Sequence, residues 1–122
     1  MSFFLYHGDE IEVSVTGTTA GIVKDMAIIK GTTPGGLAVK TLKVVARLKT
    51  SLGTAQATLT VHHDGGVADL TLTSTSITYE EKTGTIDISG WTDGRHTIEI
   101  KLVSATAGEI AYNELIEFYG VQ

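Results

Sequence analysis

At 122 residues the chain has the length of one ordinary domain, and its 42% of apolar residues supply enough material for a core, which excludes a disordered segment. A net charge of −5, with Lys and Arg few and scattered, excludes the continuous cationic face that nucleic acid requires. There is no cysteine for disulfides or thiolate metal sites, and no apolar run reaches the length of a membrane-spanning helix.

The chain reads as a single domain over residues 1–122, with 1–9 as an N-terminal arm or edge strand. Its opening, Met1-Ser-Phe-Phe-Leu-Tyr-His-Gly-Asp-Glu, has no basic region before a four-residue apolar run, and acids follow at once. That is not the pattern of a secretory signal. The expectation is a chain kept in the cytoplasm, or released by lysis within a particle such as a virion. Phe3, Phe4, Leu5 and Tyr6 have two readings: an edge strand on the chain's own core, or a contact with a neighbouring subunit.

Residues 10–16 alternate, with Ile11, Val13 and Val15 facing inward and Glu10, Glu12 and Ser14 outward. A Thr/Gly turn leads to an apolar segment over 22–30, in which Met26 and Ile28 share one face and Ala27 and Ile29 the other. Gly31-Thr-Thr-Pro-Gly-Gly, with the only proline, is the strongest breaker in the chain. Over 41–50, Leu42, Val44, Ala46 and Leu48 face inward and Lys43, Arg47 and Lys49 outward. Residues 55–63 continue with Ala57, Leu59 and Val61 inward, and Asp64-Gly-Gly closes a hairpin onto 68–73 with Leu70 and Leu72. Ile77 and Tyr79 come next, then Glu80-Glu-Lys-Thr-Gly, which reads as a polar turn.

The last third supplies three more alternating segments, over 83–89, 96–102 and 110–119, which read as consecutive antiparallel strands. The Ser/Thr/Ala/Gly loop between the last two has room for one helical turn at most. No period near 3.6 persists anywhere. About ten short strands rich in Thr, Val and Ile predict an all-β sandwich or barrel.

Chemistry is hard to find in these residues. His62 and His63 are neighbours on a strand and point to opposite faces, so they cannot chelate one ion together; His63 has the inward parity of Val61 and belongs at the rim of the core. No serine sits in a nucleophile elbow, and no phosphate-binding glycine loop occurs. The expectation is a protein that is not an enzyme, with no catalytic residues and no cofactor. A calcium ion has two weak oxygen sets to draw on: Asp64 with Asp69, or Glu109 with Asn113 and Glu114. Trp91, the only tryptophan, sits where a strand meets a turn. It is either a stacking platform for a sugar ring or a cap on one end of the sandwich. Tyr79, Tyr112 and Tyr119 carry the same two readings, Tyr112 being the second candidate glycan contact.

The runs Leu42-Lys-Val-Val-Ala-Arg-Leu-Lys-Thr, Ala57-Thr-Leu-Thr-Val, Asp93-Gly-Arg-His-Thr-Ile-Glu-Ile-Lys-Leu and Ile110-Ala-Tyr-Asn-Glu-Leu-Ile-Glu-Phe-Tyr resemble galactose-binding-like jelly rolls. In these domains an Asp-Gly-x-His-x-Ile-x-Ile strand precedes a final strand that returns to the start of the sheet. The resemblance implies an antiparallel β-sandwich of jelly-roll topology with about 8–10 short strands. It implies one of two roles. Such domains build or decorate phage and virus particles, and they also serve as carbohydrate-binding modules. The chain departs from the sugar-binding members in showing neither their aromatic pairs nor their acidic calcium loop.

The sequence favours the first role: a structural subunit of a virion, tail or surface assembly, self-associating as a trimer or larger ring. The alternative is a module that binds glycans through an aromatic platform at Trp91 and Tyr112. Neither role involves nucleic acid or a membrane span.

Overall fold

The computed structural model describes residues 3–31 and 39–121. Among them are nine strands and no helix: β1 (Phe3–Asp9), β2 (Val13–Thr16), β3 (Gly21–Lys30), β4 (Thr41–Thr50), β5 (Ala57–His63), β6 (Ala68–Ser74), β7 (Glu80–Asp87), β8 (Gly94–Ser104) and β9 (Ile110–Val121). They form two antiparallel sheets. The first has the order β1-β9-β4-β7, with β2 also pairing β9; the second has the order β3-β8-β5-β6. The chain crosses repeatedly between the sheets, as the jelly-roll reading requires.

Alternation along each strand explains why the layers stack. Leu42, Val44, Ala46 and Leu48 of β4 are all fully buried, as are Leu59 and Val61 of β5, Ile98, Ile100 and Leu102 of β8, and Ile116 and Phe118 of β9. Each large apolar side chain removed from water in this way stabilises the sandwich by about 1.5–3 kcal/mol. The β5–β6 turn follows its sequence signal. Asp64 and Gly65 both have positive φ, 50° and 72°, and the Gly66 N–H bonds to the His63 carbonyl at 3.0 Å.

Several sequence expectations need correction. The three final segments are strands, but they do not pair with one another: β7 lies beside β4, β8 between β3 and β5, and β9 between β4 and the β1/β2 edge. Alternation says which face is buried, not which strand is adjacent. Glu80-Glu-Lys-Thr-Gly is no turn. It is the first half of β7, in register with β4 from Glu80↔Leu48 to Gly84↔Val44. Gly84 is there for closeness, since a Cβ on it would lie 2.6 Å from Leu70 Cδ1 of the opposite sheet. Ile11 is not inward but 70% exposed. Asp9 pairs with Ile116 and Val13 with Asn113, and both keep the inward parity, but residues 10–12 lie outside β1 and β2, so no ladder holds Ile11 against the core. Ile77 is likewise exposed and outside any strand. The proline of the 31–36 loop lies outside the described residues, as do the side chains of Phe3, Phe4 and Tyr6. Leu5 is about half exposed on β1, which pairs with β9 of the same chain.

A second bulge matters more for the site. Ala46 pairs with Ile116 and Leu48 with Asn113, so Glu114 and Leu115 together face Arg47. Burial in β9 shifts phase at that point: Ala111 and Asn113 are buried before it, Ile116, Phe118 and Gly120 after it. The amide of Asn113, the only asparagine in the chain, holds the bulge. Its Nδ2 donates to the carbonyls of Arg47 (3.0 Å) and Leu115 (2.8 Å). Asn113 is fully buried, and its Oδ1 has no protein partner.

Candidate functional site on the outer face of the five-stranded sheet

Outward residues of β4, β7 and β9 form one face. On β4 they are Lys43, Val45, Arg47 and Lys49, a regular period-2 series. Register then brings neighbours to each: Tyr119 beside Lys43, Glu117 and Thr83 beside Val45, Glu81 beside Arg47, Tyr112 beside Lys49. Two hollows lie on this face. One of about 270 Å³ is lined by Lys43, Val45, Glu81, Thr83, Glu117 and Tyr119. The other, of about 310 Å³, is lined by Glu10, Arg47, Glu114 and Leu115.

One end of the face is aromatic. Lys49 Nζ stands 4.7 Å from the ring centre of Tyr79 and 4.8 Å from that of Tyr112, and the Arg47 guanidinium is 5.8 Å from Tyr79. The Tyr79 hydroxyl donates to Glu12 Oε2 at 2.6 Å. Because Tyr79 precedes β7 and Glu12 lies between β1 and β2, this bond reaches across β9 and β4 and walls off the end of the face. Burial, followed by that hydrogen bond to a carboxylate, pushes the Tyr79 phenol well above its ordinary value. Arg47 and Glu114 pair at 2.6 Å beside the larger hollow. At the far end Tyr119 is also raised, first by its hydrogen bond to Glu117. Thus the face carries aromatic rings and cation–carboxylate pairs, with hydrogen-bonding groups of both kinds.

A second cluster occupies the end of the sandwich near Trp91. The indole stacks on His63, with ring centres 3.9 Å apart and planes 19° from parallel, and lies 5.1 Å from the His96 ring. It also packs on the core, which is the capping geometry. His63 Nδ1 bonds to Asp69 at 2.7 Å, the rim position expected for this histidine. His96 is buried, with Nε2 2.7 Å from the Thr92 carbonyl and Nδ1 2.5 Å from Asp64 Oδ2. Both partners are acceptors, so the protonated ring, donating from both nitrogens, is the form this site favours. Accordingly the pKa of His96 is raised, first by the Thr92 carbonyl and then by Asp64, while Asp64 is lowered by His96 and by the Thr97 amide. Lys30 completes the cluster, donating to the Trp91 carbonyl at 2.8 Å.

Trp91 and Tyr112 do not form one platform. Trp91 lies at the end of the sandwich where Ile88, Lys40 and Val121 meet by backbone hydrogen bonds. Tyr112, paired with Ser14 and Lys49, is nine residues back along β9, about 30 Å away at strand rise. Neither oxygen set proposed for calcium converges. Asp64 and Asp69 are each bound to a different histidine, Glu109 accepts from Ser51, Glu114 pairs with Arg47, and Asn113 points into the core. Among the described residues no three His, Cys, Asp or Glu side chains gather as a metal site.

Tyr79 and Tyr119 were legible only as ambiguous aromatics. Their role on this face depends on the register of β7 and on the β9 bulge, and neither is written in local alternation. Tyr79 and Tyr112 both face Lys49, but they come from separate segments.

No protein-family model matches the chain, and no curated sequence matches it. Among solved structures, it is similar to the carbohydrate-binding module CBM36 in complex with calcium and xylotriose. The match has a TM-score of 0.56 at 20% identity and covers 97% of this chain and 99% of that one. The fold is similar to that of a carbohydrate-binding module. At this identity the likeness establishes the β-sandwich and nothing finer.

Proposed function

We propose that the chain is a non-catalytic carbohydrate-binding module that uses the outer face of its five-stranded sheet. The observation that carries this reading is the Tyr79–Lys49–Tyr112 arrangement beside the Arg47–Glu114 hollow. A pyranose presents a flat C–H face and a rim of hydroxyls. An aromatic ring satisfies the first, and neighbouring carboxylates and guanidinium satisfy the second, because hydroxyls both donate and accept. Lys49 covers the rings in the free protein by a cation–π contact worth about 1 kcal/mol, small enough for a sugar to displace. The fold likeness supports the reading. The alternative, a building block of a virion or surface assembly, gains no observation of its own, since three of its four contact side chains lie outside the described residues.

Affinity electrophoresis in gels containing xylan, β-glucan or mannan tests the proposal, run with calcium and with chelator. At least one polysaccharide should retard the wild type in both conditions. Tyr112→Ala should weaken that retardation about tenfold while leaving the unfolding midpoint in place. If no polysaccharide retards the protein, or if Tyr112→Ala binds as well as wild type, the reading is wrong.

A further inference from the structure

Lysine is almost never buried unless something pairs with its charge, yet Lys24 of β3 is 7% exposed and its side chain only 3%. The β3–β8 register shifts between Ile22 and Lys24, and from there Lys24, Met26 and Ile28 all face the interior. The ammonium therefore crosses from the edge of the four-stranded sheet to the β1/β2 edge of the five-stranded one, where β1 ends and β9 bulges. Three oxygens receive it there: the Asp9 carbonyl at 3.5 Å, Asp9 Oδ1 at 3.4 Å and the Glu114 carbonyl at 3.4 Å. All three contacts are longer than the roughly 2.7–2.9 Å of a tight charge-assisted hydrogen bond, so the oxygens surround a charge more than they grip a donor. The Asp9 carboxylate is itself fixed, because Oδ1 also accepts from the Ile11 N–H at 2.8 Å. The Glu114 carboxylate takes no part, being paired with Arg47 on the outer face. Burial lowers the Lys24 pKa, and Asp9 works against that shift.

Two backbone carbonyls and one carboxylate oxygen, brought together from two segments, are the donors a hard cation takes. We infer that the junction of β1, β9 and β3 is a cation site whose occupant is the chain's own Lys24, so that the ammonium does the fastening there that a bound metal ion or small ammonium ion would do. The inference is independent of what binds the outer face. Residues 10–12 leave the ladder between β1 and β2, and the lysine holds the chain at the last residue before that break. Through the Glu114 carbonyl it also holds the β9 bulge from behind. Neither carboxylate set read from the sequence includes this site, because two of its three oxygens belong to the backbone.

Thermal unfolding followed by Trp91 fluorescence tests the assignment in wild type, Lys24→Met and Lys24→Ser, each in chelator, in millimolar calcium and in methylammonium chloride, with choline chloride as the control at equal ionic strength. Both variants should melt about 5–10 °C below the wild type, since removing the lysine leaves Asp9 without its counter-charge. Lys24→Ser leaves room for a soluble cation and should regain at least about 3 °C from calcium or methylammonium. The wild type and Lys24→Met, whose side chains fill the space, should respond to neither beyond the choline control. Adding Asp9→Asn to Lys24→Ser should abolish the recovery. Recovery with calcium alone assigns the site to divalent ions, and recovery with methylammonium alone to ammonium ions; either supports the inference. If Lys24→Ser is unfolded in chelator, refolding on addition of either cation is the same readout, and failure to refold the same refutation. The inference is overturned if Lys24→Met melts with the wild type, if Lys24→Ser gains nothing from either cation, or if its gain is shared by the wild type or survives Asp9→Asn.

Discussion

Replacing Gly84 by alanine should destabilise the protein, although alanine is normally the better residue in a strand. An added Cβ would sit 2.6 Å from Leu70 Cδ1 and 3.1 Å from Cδ2, well inside ordinary contact. Overpacking of this kind costs about 1–3 kcal/mol. Against it stands a gain of roughly 0.5–1 kcal/mol from removing glycine's excess freedom in the unfolded chain. The net loss lies between about 0 and 2.5 kcal/mol, centred near 1, or a few degrees in Tm for a chain of this size. Urea unfolding followed by Trp91 fluorescence measures it, and Leu70→Ala completes a double-mutant cycle. Because Leu70→Ala removes the obstructing carbons, Gly84→Ala in that background should be neutral or stabilising, with a coupling of at least about 1 kcal/mol. If Gly84→Ala stabilises the otherwise native protein, or the two changes are additive, β7 does not press on Leu70 as described. The edge carrying Glu81 and Thr83 would then need to be redrawn.

The His96 cation makes stability pH-dependent. Its folded-state pKa is raised above the ordinary 6.5, so its stabilisation is complete below that value and is lost as pH rises through the folded-state value. Unfolding midpoints should therefore fall across this window in the wild type and much less in His96→Gln; a wild-type midpoint that stays level or rises there contradicts the assignment. Asp64 supports the cation, and Lys30, the nearby positive charge, opposes it. At the opposite end of the fold, Glu12→Gln should lower the titration of Tyr79 only part of the way toward 10.0, because burial is the larger cause of its shift. Spectroscopic titration of the phenols checks this, and an unchanged Tyr79 would mean that the bond to Glu12 does not form in solution.

The sequence was most informative where one strand keeps one phase. β4, β5 and β8 alternate without interruption, and their inward residues are those that fill the core. It was least informative where the phase changes or the partner is remote. Ile11 was misplaced because residues 10–12, though they alternate in sequence, leave the ladder between β1 and β2. Gly84 was taken for turn chemistry because a glycine selected for close packing looks the same in sequence as one selected for positive φ. The candidate site suffers from both effects. Tyr112 could be named as an outward aromatic, but Tyr79 joins it only through the β4–β7 register, and Tyr119 only through the bulge at Glu114. In sequence, Asn113 was legible only as one oxygen of a weak calcium set with Glu109 and Glu114. That its amide fixes the phase of β9 could not be inferred without knowing which carbonyls lie beside it.

The central claim is the location of the ligand, and amide chemical-shift mapping during titration with an oligosaccharide cut from the polysaccharide that retards the protein tests it most directly. The account predicts saturable shifts concentrated at Val45, Lys49, Thr83, Tyr112 and Glu117 along β4, β7 and β9. Shifts confined to His63, Trp91 and His96 at the end of the sandwich would contradict it.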